Sequence, residues 1–212
     1  MQPNTILWDW NGTLLNDIHQ SVDAMNELLE KRNHPPLSIA KYKDIFCFPV
    51  IKYYEELNFN FQEEKWENVA AEFMNTYHEK EPTLTLHSDT ISALNYFQNK
   101  GYKQYILSAM MTDSILTMLE TFNITHYFDG VYGLDNHYAN SKIYIGHKLL
   151  ETEKLSARNC LLIGDTMHDA EVAEALKCNC TLISHGHQSH SRLENTNYPT
   201  FQNLKTLINT DH

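Results

Sequence analysis

Four short runs in this chain are apolar without alternation: Ile6-Leu7-Trp8, Tyr105-Ile106-Leu107, Cys160-Leu161-Leu162-Ile163 and Thr181-Leu182-Ile183. A strand with one wet face alternates apolar and polar residues. These runs do not, so they read as strands covered on both faces. Between them lie segments with helical spacing: Ile91, Leu94 and Phe97; Ile115, Met118, Leu119 and Phe122; residues 143–152; and Val172, Ala173 and Leu176. Repeated strand–helix units predict a doubly wound parallel sheet with helices on both faces, an α/β fold. Gly101 is expected to close one helix, Ser108 to end the second strand and Thr112 to cap the helix after it. A further short strand is expected at residues 128–132 and a last helix at residues 204–208.

The stretch 16–82 follows a different pattern. Val22, Met25, Leu28 and Leu29 have helical spacing, and Asn33-His34-Pro35-Pro36 stops that helix. Ser38 is placed to cap a short helix. The chain breaks at Phe46-Cys47-Phe48-Pro49, and a short helix follows over residues 50–57. A long helix then carries Trp66, Val69, Ala70, Phe73, Met74 and Tyr77 along one side. No strand is expected here, and the dense aromatics read as the core of a small bundle. The strand at Ile6-Leu7-Trp8 is unstable alone, so it belongs with the later strands. Residues 1–15 and 83–212 are therefore expected to form the core domain. Residues 16–82 form a helical domain inserted just after the first strand's loop, a lid above the carboxyl ends of the strands.

Composition narrows the classes. A chain of 212 residues supports one good core and a smaller appendage. No apolar run approaches a membrane span. Met1-Gln2-Pro3-Asn4 is neither basic nor apolar, so secretion is not expected. The net charge of −11 argues against a nucleic-acid surface and leaves an anionic ligand dependent on local cations. Cys47, Cys160, Cys178 and Cys180 lack metal or redox spacing, so reduced thiols in a cytoplasmic protein are the simplest account.

Polar residues fall at the ends of the apolar runs. Asp9 follows the first strand, and Asn11-Gly12 turns the chain sharply because both residues tolerate positive φ. Ligand sites of open α/β sheets lie at such strand ends. Ser108 ends the second strand, Asp165 follows the third with Asp169 close behind, and Lys142 precedes a helix. Carboxylates with a turn carbonyl make an oxygen cage suited to Mg²⁺. A lysine and a hydroxyl beside them suit a phosphoryl group, and one carboxylate aimed at it can act as nucleophile. Each residue also has a plain structural role. Ser108 can end a strand, Thr166-x-x-Asp169 can be a capping box, and Lys142 can be a surface lysine.

Taken jointly and in this order, the residues resemble the haloacid dehalogenase-like hydrolase superfamily across nearly the whole chain. The first motif is Asp9-Trp10-Asn11-Gly12-Thr13-Leu14, the second Leu107-Ser108, the third Lys142, and the fourth Gly164-Asp165-Thr166-Met167-His168-Asp169. The helical insert after the first motif is similar to the phosphoglycolate phosphatase-like branch. The resemblance implies a phosphatase working through an aspartyl-phosphate, with Asp9 as nucleophile. It implies Mg²⁺ held by Asp9, the Asn11 main-chain oxygen and Asp165, with Asp169 supporting. Ser108, Ala109, Lys142, Asn11 and Gly12 would hold a small phosphorylated metabolite. Substrate choice would fall to the lid near residues 46–54, with Lys52 and Tyr53 as contacts.

Two positions depart from the family pattern. Ile143 stands where proline usually follows the lysine. Asn11 stands where a second aspartate usually protonates the leaving group, and an amide does not titrate near neutral pH. That help is worth about 10²–10⁴-fold in rate. The implied outcomes are a slow or leaving-group-restricted phosphatase, a substitute acid, or a protein that binds a phosphorylated ligand without efficient turnover. His168 and the loop His185-Gly186-His187-Gln188-Ser189-His190 are candidate substitutes, although a histidine-rich loop reads first as solvent-exposed.

Overall fold

The computed structural model describes residues 3–134 and 141–210. Met1 and Gln2, part of the argument about the N-terminus, lie outside them. The chain runs through β1 (Thr5–Trp8), β2 (Leu15–Asn16), α1 (Ile18–Lys31), α2 (Ile39–Ile45), α3 (Val50–Glu56), α4 (Trp66–Glu79) and β3 (Thr85–Leu86). It continues through α5 (Thr90–Asn99), β4 (Lys103–Met111), α6 (Thr112–Thr121), β5 (Gly130–Leu134) and α7 (Lys142–Thr152). The last part holds β6 (Cys160–Gly164), α8 (Met167–Leu176), β7 (Asn179–Ile183), α9 (His190–Leu193), β8 (Thr200–Phe201) and α10 (Leu204–Thr210).

The main sheet has the order β5-β4-β1-β6-β7-β8, with every pairing parallel. Strand β1 is central, and alternate residues feed opposite faces. Ile6 and Trp8 pack with Ile106, Ile163 and Ile183 against α5, α6 and α10. Leu7 packs with Leu107, Leu162 and Leu182 against α7 and α8. Ile6, Leu7 and Trp8 are fully buried, each contributing about 1.5–3 kcal/mol of apolar burial. The missing alternation in these runs thus has its predicted cause: both faces of the sheet are covered.

Helices α1 to α4 hold an apolar cluster of their own, including Met25, Leu28, Tyr42, Tyr53, Tyr54 and Val69. Ser38 caps α2 by accepting from the Lys41 amide. The helical stretch is tied to the sheet side by a two-stranded antiparallel ribbon, Leu15 opposite Leu86 and Asn16 opposite Thr85. Asn16 is therefore in a strand, against the expectation of none in residues 16–82.

Other boundaries move for physical reasons. Strand β4 runs past Ser108 to Met111, with an irregularity in its pairing to β5 after Leu107. Thr112 is the first helical residue, not a cap, because its hydroxyl donates to the Leu134 carbonyl instead. Strand β5 begins at Gly130, after a turn of 3-10 helix at Thr125–Tyr127. The two-residue strand β8 was not anticipated; it is too short to carry a periodic signal. Gly101 ends α5 at φ 77° as expected. All four cysteines are free. Among the described residues no helix is long and apolar enough to cross a membrane.

Candidate active site

The register brings three strand ends together. Trp8 pairs with both Ile106 and Ile163, so Asp9 leaves the sheet between Leu107-Ser108 and Gly164-Asp165. Asp9 and Asp165, with Asp169 from the first turn of α8, offer carboxylate oxygens within 4.8 Å of one another, all buried. Gly12 makes this approach possible. It turns at φ 74°, and a Cβ there would collide with the Asp165 carboxylate. Asn11 needs no positive φ, so the turn rests on Gly12 alone.

Lys142, 5% exposed at the start of α7, bridges two of the carboxylates. Its ammonium donates to Asp9 and to Asp169, the latter at 2.5 Å. Ser141 caps the helix that presents it, accepting from the Tyr144 amide. That cap sets the start of α7 without a proline at position 143. Asp169 also accepts from the Thr166 hydroxyl at 2.7 Å and amide at 3.0 Å, so the capping box is present. One carboxylate fills both roles, capping the start of α8 with one oxygen and holding Lys142 with the other.

Burial pushes the Asp9 carboxyl above its usual range, with the Lys142 ammonium pulling the other way. Burial also raises Asp165 well above that range. Asp165 accepts from the Thr13 hydroxyl at 3.1 Å and the His187 amide at 2.6 Å, and among the described residues no lysine or arginine bonds to it. At Asp169 burial is outweighed by Lys142 and the Thr166 bonds, which hold it low. The two carboxylates raise Lys142 despite its burial. Counting Asp17, four buried carboxylates meet two buried cations, Lys142 and His187. The cluster is short of positive charge, and its donors are all oxygen. That combination fits a hard divalent cation at Asp9, Asp165 and Asp169.

The histidine-rich loop corrects the expectation of exposure. His187 and Gln188 are buried, and a Cβ on Gly186 would also meet the Asp165 carboxylate. The His187 ring spans the site, with Nε2 3.1 Å from Asp17 Oδ1 and Nδ1 2.8 Å from the Tyr42 hydroxyl. Asp17 outweighs burial and raises the imidazole to about 9, so His187 is charged. Gln188 locks the loop, accepting from the Met167 amide and donating to the Phe46 carbonyl.

Asp17 was missed from the sequence. An acidic residue before a helix reads as a cap, yet its side chain caps nothing in α1. It accepts instead from Asn11, from Tyr77 of α4, from the Gly12 amide and from His187. The Gly12 amide is therefore spent on Asp17 and Leu15, and Gly12 lies beside the residues that line the cavity rather than among them.

A cavity of about 370 Å³ opens between the carboxylates and helices α1 to α4. Asp9, Asn11, Ser108, Ala109, Lys142, Asp165 and Asp169 all line it. Of the suggested lid contacts, Tyr53 lines it and Lys52 does not; Lys52 faces solvent. His168 lines the mouth, its ring stacked on Phe48 at 4.6 Å and its Nδ1 3.0 Å from Glu171.

The chain is similar to known proteins. The chain is 21% identical over 192 residues to a phosphoglycolate phosphatase of Aliivibrio fischeri, covering 86% of this chain and 84% of that protein. It is 25% identical over 198 residues to a 5′-nucleotidase of Pseudomonas aeruginosa, covering 90% and 86%. A haloacid dehalogenase-like family hydrolase from Streptococcus pneumoniae has the same fold, with a TM-score of 0.82 at 22% identity and 99% of both chains covered. The profile of the haloacid dehalogenase-like hydrolases matches residues 6–183, from the central strand through the carboxylate cluster to β7, and the chain belongs to that family.

Proposed function

We propose that this chain is a Mg²⁺-dependent phosphomonoester hydrolase that works through an aspartyl-phosphate on Asp9, with residues 16–82 as its cap. The observation that carries the reading is one constellation. A strand-end carboxylate, Asp9, is held by a buried lysine beside two further carboxylates, at the floor of a cavity. The phosphatases among its relatives support the same reaction class.

Lys142 holds one Asp9 oxygen, and the other, which accepts only a long bond from the Thr13 hydroxyl at 3.4 Å, is the one offered to the phosphorus. An Asp9 oxygen forms a bond to phosphorus as the bond to the leaving oxygen breaks, and the electron pair departs with that oxygen. Water then adds to phosphorus, the Asp9–phosphorus bond breaks, and inorganic phosphate and the carboxylate are restored. Lys142 and Ser108 hold phosphate oxygens, with the Ala109 and Asn11 backbone beside them. Asp9, Asp165 and the Asn11 main-chain oxygen would hold Mg²⁺, with Asp169 supporting. When bound there, the ion would offset the repulsion between the carboxylates and a dianionic phosphate. The Asn11 amide donates hydrogen bonds but does not ionise near neutral pH, so the leaving oxygen takes its proton from water.

A second reading, a phosphate-ester binding protein with little turnover, is favoured by one observation. The Asn11 side chain is committed to Asp17 and Tyr77. Turnover of acetyl phosphate and p-nitrophenyl phosphate with Mg²⁺, then with EDTA, separates the two. The hydrolase reading expects Mg²⁺-dependent release of phosphate that Asp9→Asn abolishes; binding without release points to the second.

A further inference from the structure

The walls of the cavity differ sharply. Its floor is the carboxylate cluster. Its roof, built from α1 to α4 and the turn before α3, presents Phe46, Phe48, Tyr53, Trp66, Phe73 and Met74. No lysine, arginine or histidine of the roof reaches the cavity among the described residues. Lys142 is the cavity's lysine, and it is already shared by Asp9 and Asp169. Both nitrogens of His187 are engaged, by Asp17 and Tyr42. His168 is stacked on Phe48 and faces Glu171. A second anionic group on the substrate, such as a carboxylate or another phosphate, would lie against aromatic carbon without a cation.

Apolar side chains exposed at the mouth point the same way. Phe48 and Met74 are 38% and 44% exposed, among the few large hydrophobics left in solvent, and both line this cavity. A flat apolar group entering there covers them and packs on Trp66 and Phe73. Asn11 adds an independent constraint. With an amide where a proton donor would serve the leaving oxygen, alcohols that depart as stable anions are favoured.

We propose that the preferred substrate is an aryl phosphate carrying no second anionic group: one phosphate on the floor and the ring under the aromatic roof. A phenolic oxygen leaves with its electron pair delocalised into the ring and takes its proton from water afterwards. The proposal rests on the hydrolase reading of the same site.

The test compares phenyl phosphate, benzyl phosphate, thymidine 5′-monophosphate, phosphoglycolate and pyrophosphate, with acetyl phosphate as the reference for turnover. Benzyl phosphate keeps the ring but loses the phenolic leaving group; the nucleotide offers a ring that is polar. The expected kcat/KM for phenyl phosphate exceeds that for benzyl phosphate by about 10-fold or more. Benzyl phosphate in turn exceeds phosphoglycolate and pyrophosphate by about 10-fold or more. Calorimetric titration of Asp9→Asn with phenyl phosphate and phosphoglycolate separates recognition from reactivity, and phenyl phosphate is expected to bind about 10-fold more tightly. Met74→Arg, at an exposed position that tolerates charge, is expected to lower the phenyl phosphate to phosphoglycolate ratio by about 10-fold. Phosphoglycolate, pyrophosphate or the nucleotide used as well as phenyl phosphate overturns the proposal. If no compound is turned over, acetyl phosphate included, the hydrolase reading fails. The calorimetry then decides recognition alone, and equal or tighter binding of phosphoglycolate overturns it.

Discussion

The Asn11 amide donates to the Asp17 carboxylate across 2.9 Å, joined on the same oxygen by the Tyr77 hydroxyl at 2.8 Å. Position 11 is thus chemically paired with a buried acid, and an amide there supplies a proton that a carboxylate lacks. The surrounding charges hold Asp17 below its usual range despite burial, with His187 the largest opposing influence.

Asn11→Asp sets two carboxylates against each other. Like charges at this separation share a proton, so the introduced group is held protonated well above the ordinary carboxyl range. The expected result is a gain of about 10-fold or more in kcat/KM for an alkyl phosphate and a smaller gain for acetyl phosphate. The same change costs roughly 1–3 kcal/mol of stability near neutral pH, recovered partly on mild acidification. Kinetics on fresh protein and melting curves at several pH values check both halves. Equal kinetics and equal melting for variant and wild type would show that position 11 does not face the leaving group.

Mg²⁺ should stabilise the fold independently of turnover. Binding to the native cluster alone adds about 2.7 kcal/mol at a hundred times the dissociation constant, seen as a higher Tm with Mg²⁺ than with EDTA. Asp165→Asn should remove most of that increment, because among the described residues no lysine or arginine bonds to Asp165. An increment that survives in Asp165→Asn strikes that residue from the metal set.

Removing Lys142 leaves Asp9 and Asp169 buried with no lysine between them. Lys142→Met is expected to cost about 3–5 kcal/mol, the usual loss when one partner of a buried pair is deleted. Denaturant melts measure it directly. A loss within the error of a surface substitution would mean that water already reaches this pair.

His87 and His185 stack at 3.6 Å and bond the carbonyls of Gly12 and Thr13, clamping the loop beside Asp9. Burial, then His185, lowers His87 to about 4. The unfolded chain binds this proton near the ordinary 6.5, so the folded state is favoured above that pH. Stability is lost as pH falls from about 6.5 through about 4. Relative to His87→Gln, wild type is expected to lose on the order of 2 kcal/mol over that window. Parallel stability–pH curves for the two proteins would rule the clamp out as the cause.

Local patterning along the chain marked the longer strands and helices and the order of the strand ends. Ile6-Leu7-Trp8 and its counterparts showed burial on both faces because side-chain alternation is a local property of a strand. Val22, Met25, Leu28 and Leu29 marked α1 because helical spacing is equally local. Tertiary structure alone decided the charge network. Asp17 drew no notice in the sequence, and Lys142 stood out only through the order of the motifs, since neither shows its partner within a few residues. Lys142 reaches Asp9 across 133 positions, and His187 reaches Tyr42 across 145. The loop read as exposed is buried because Lys43 and Phe46 of the helical layer bond to it and Asp165 fills the space at Gly186. Burial of a charge is set by what folds over it, and here that is chain distant in sequence.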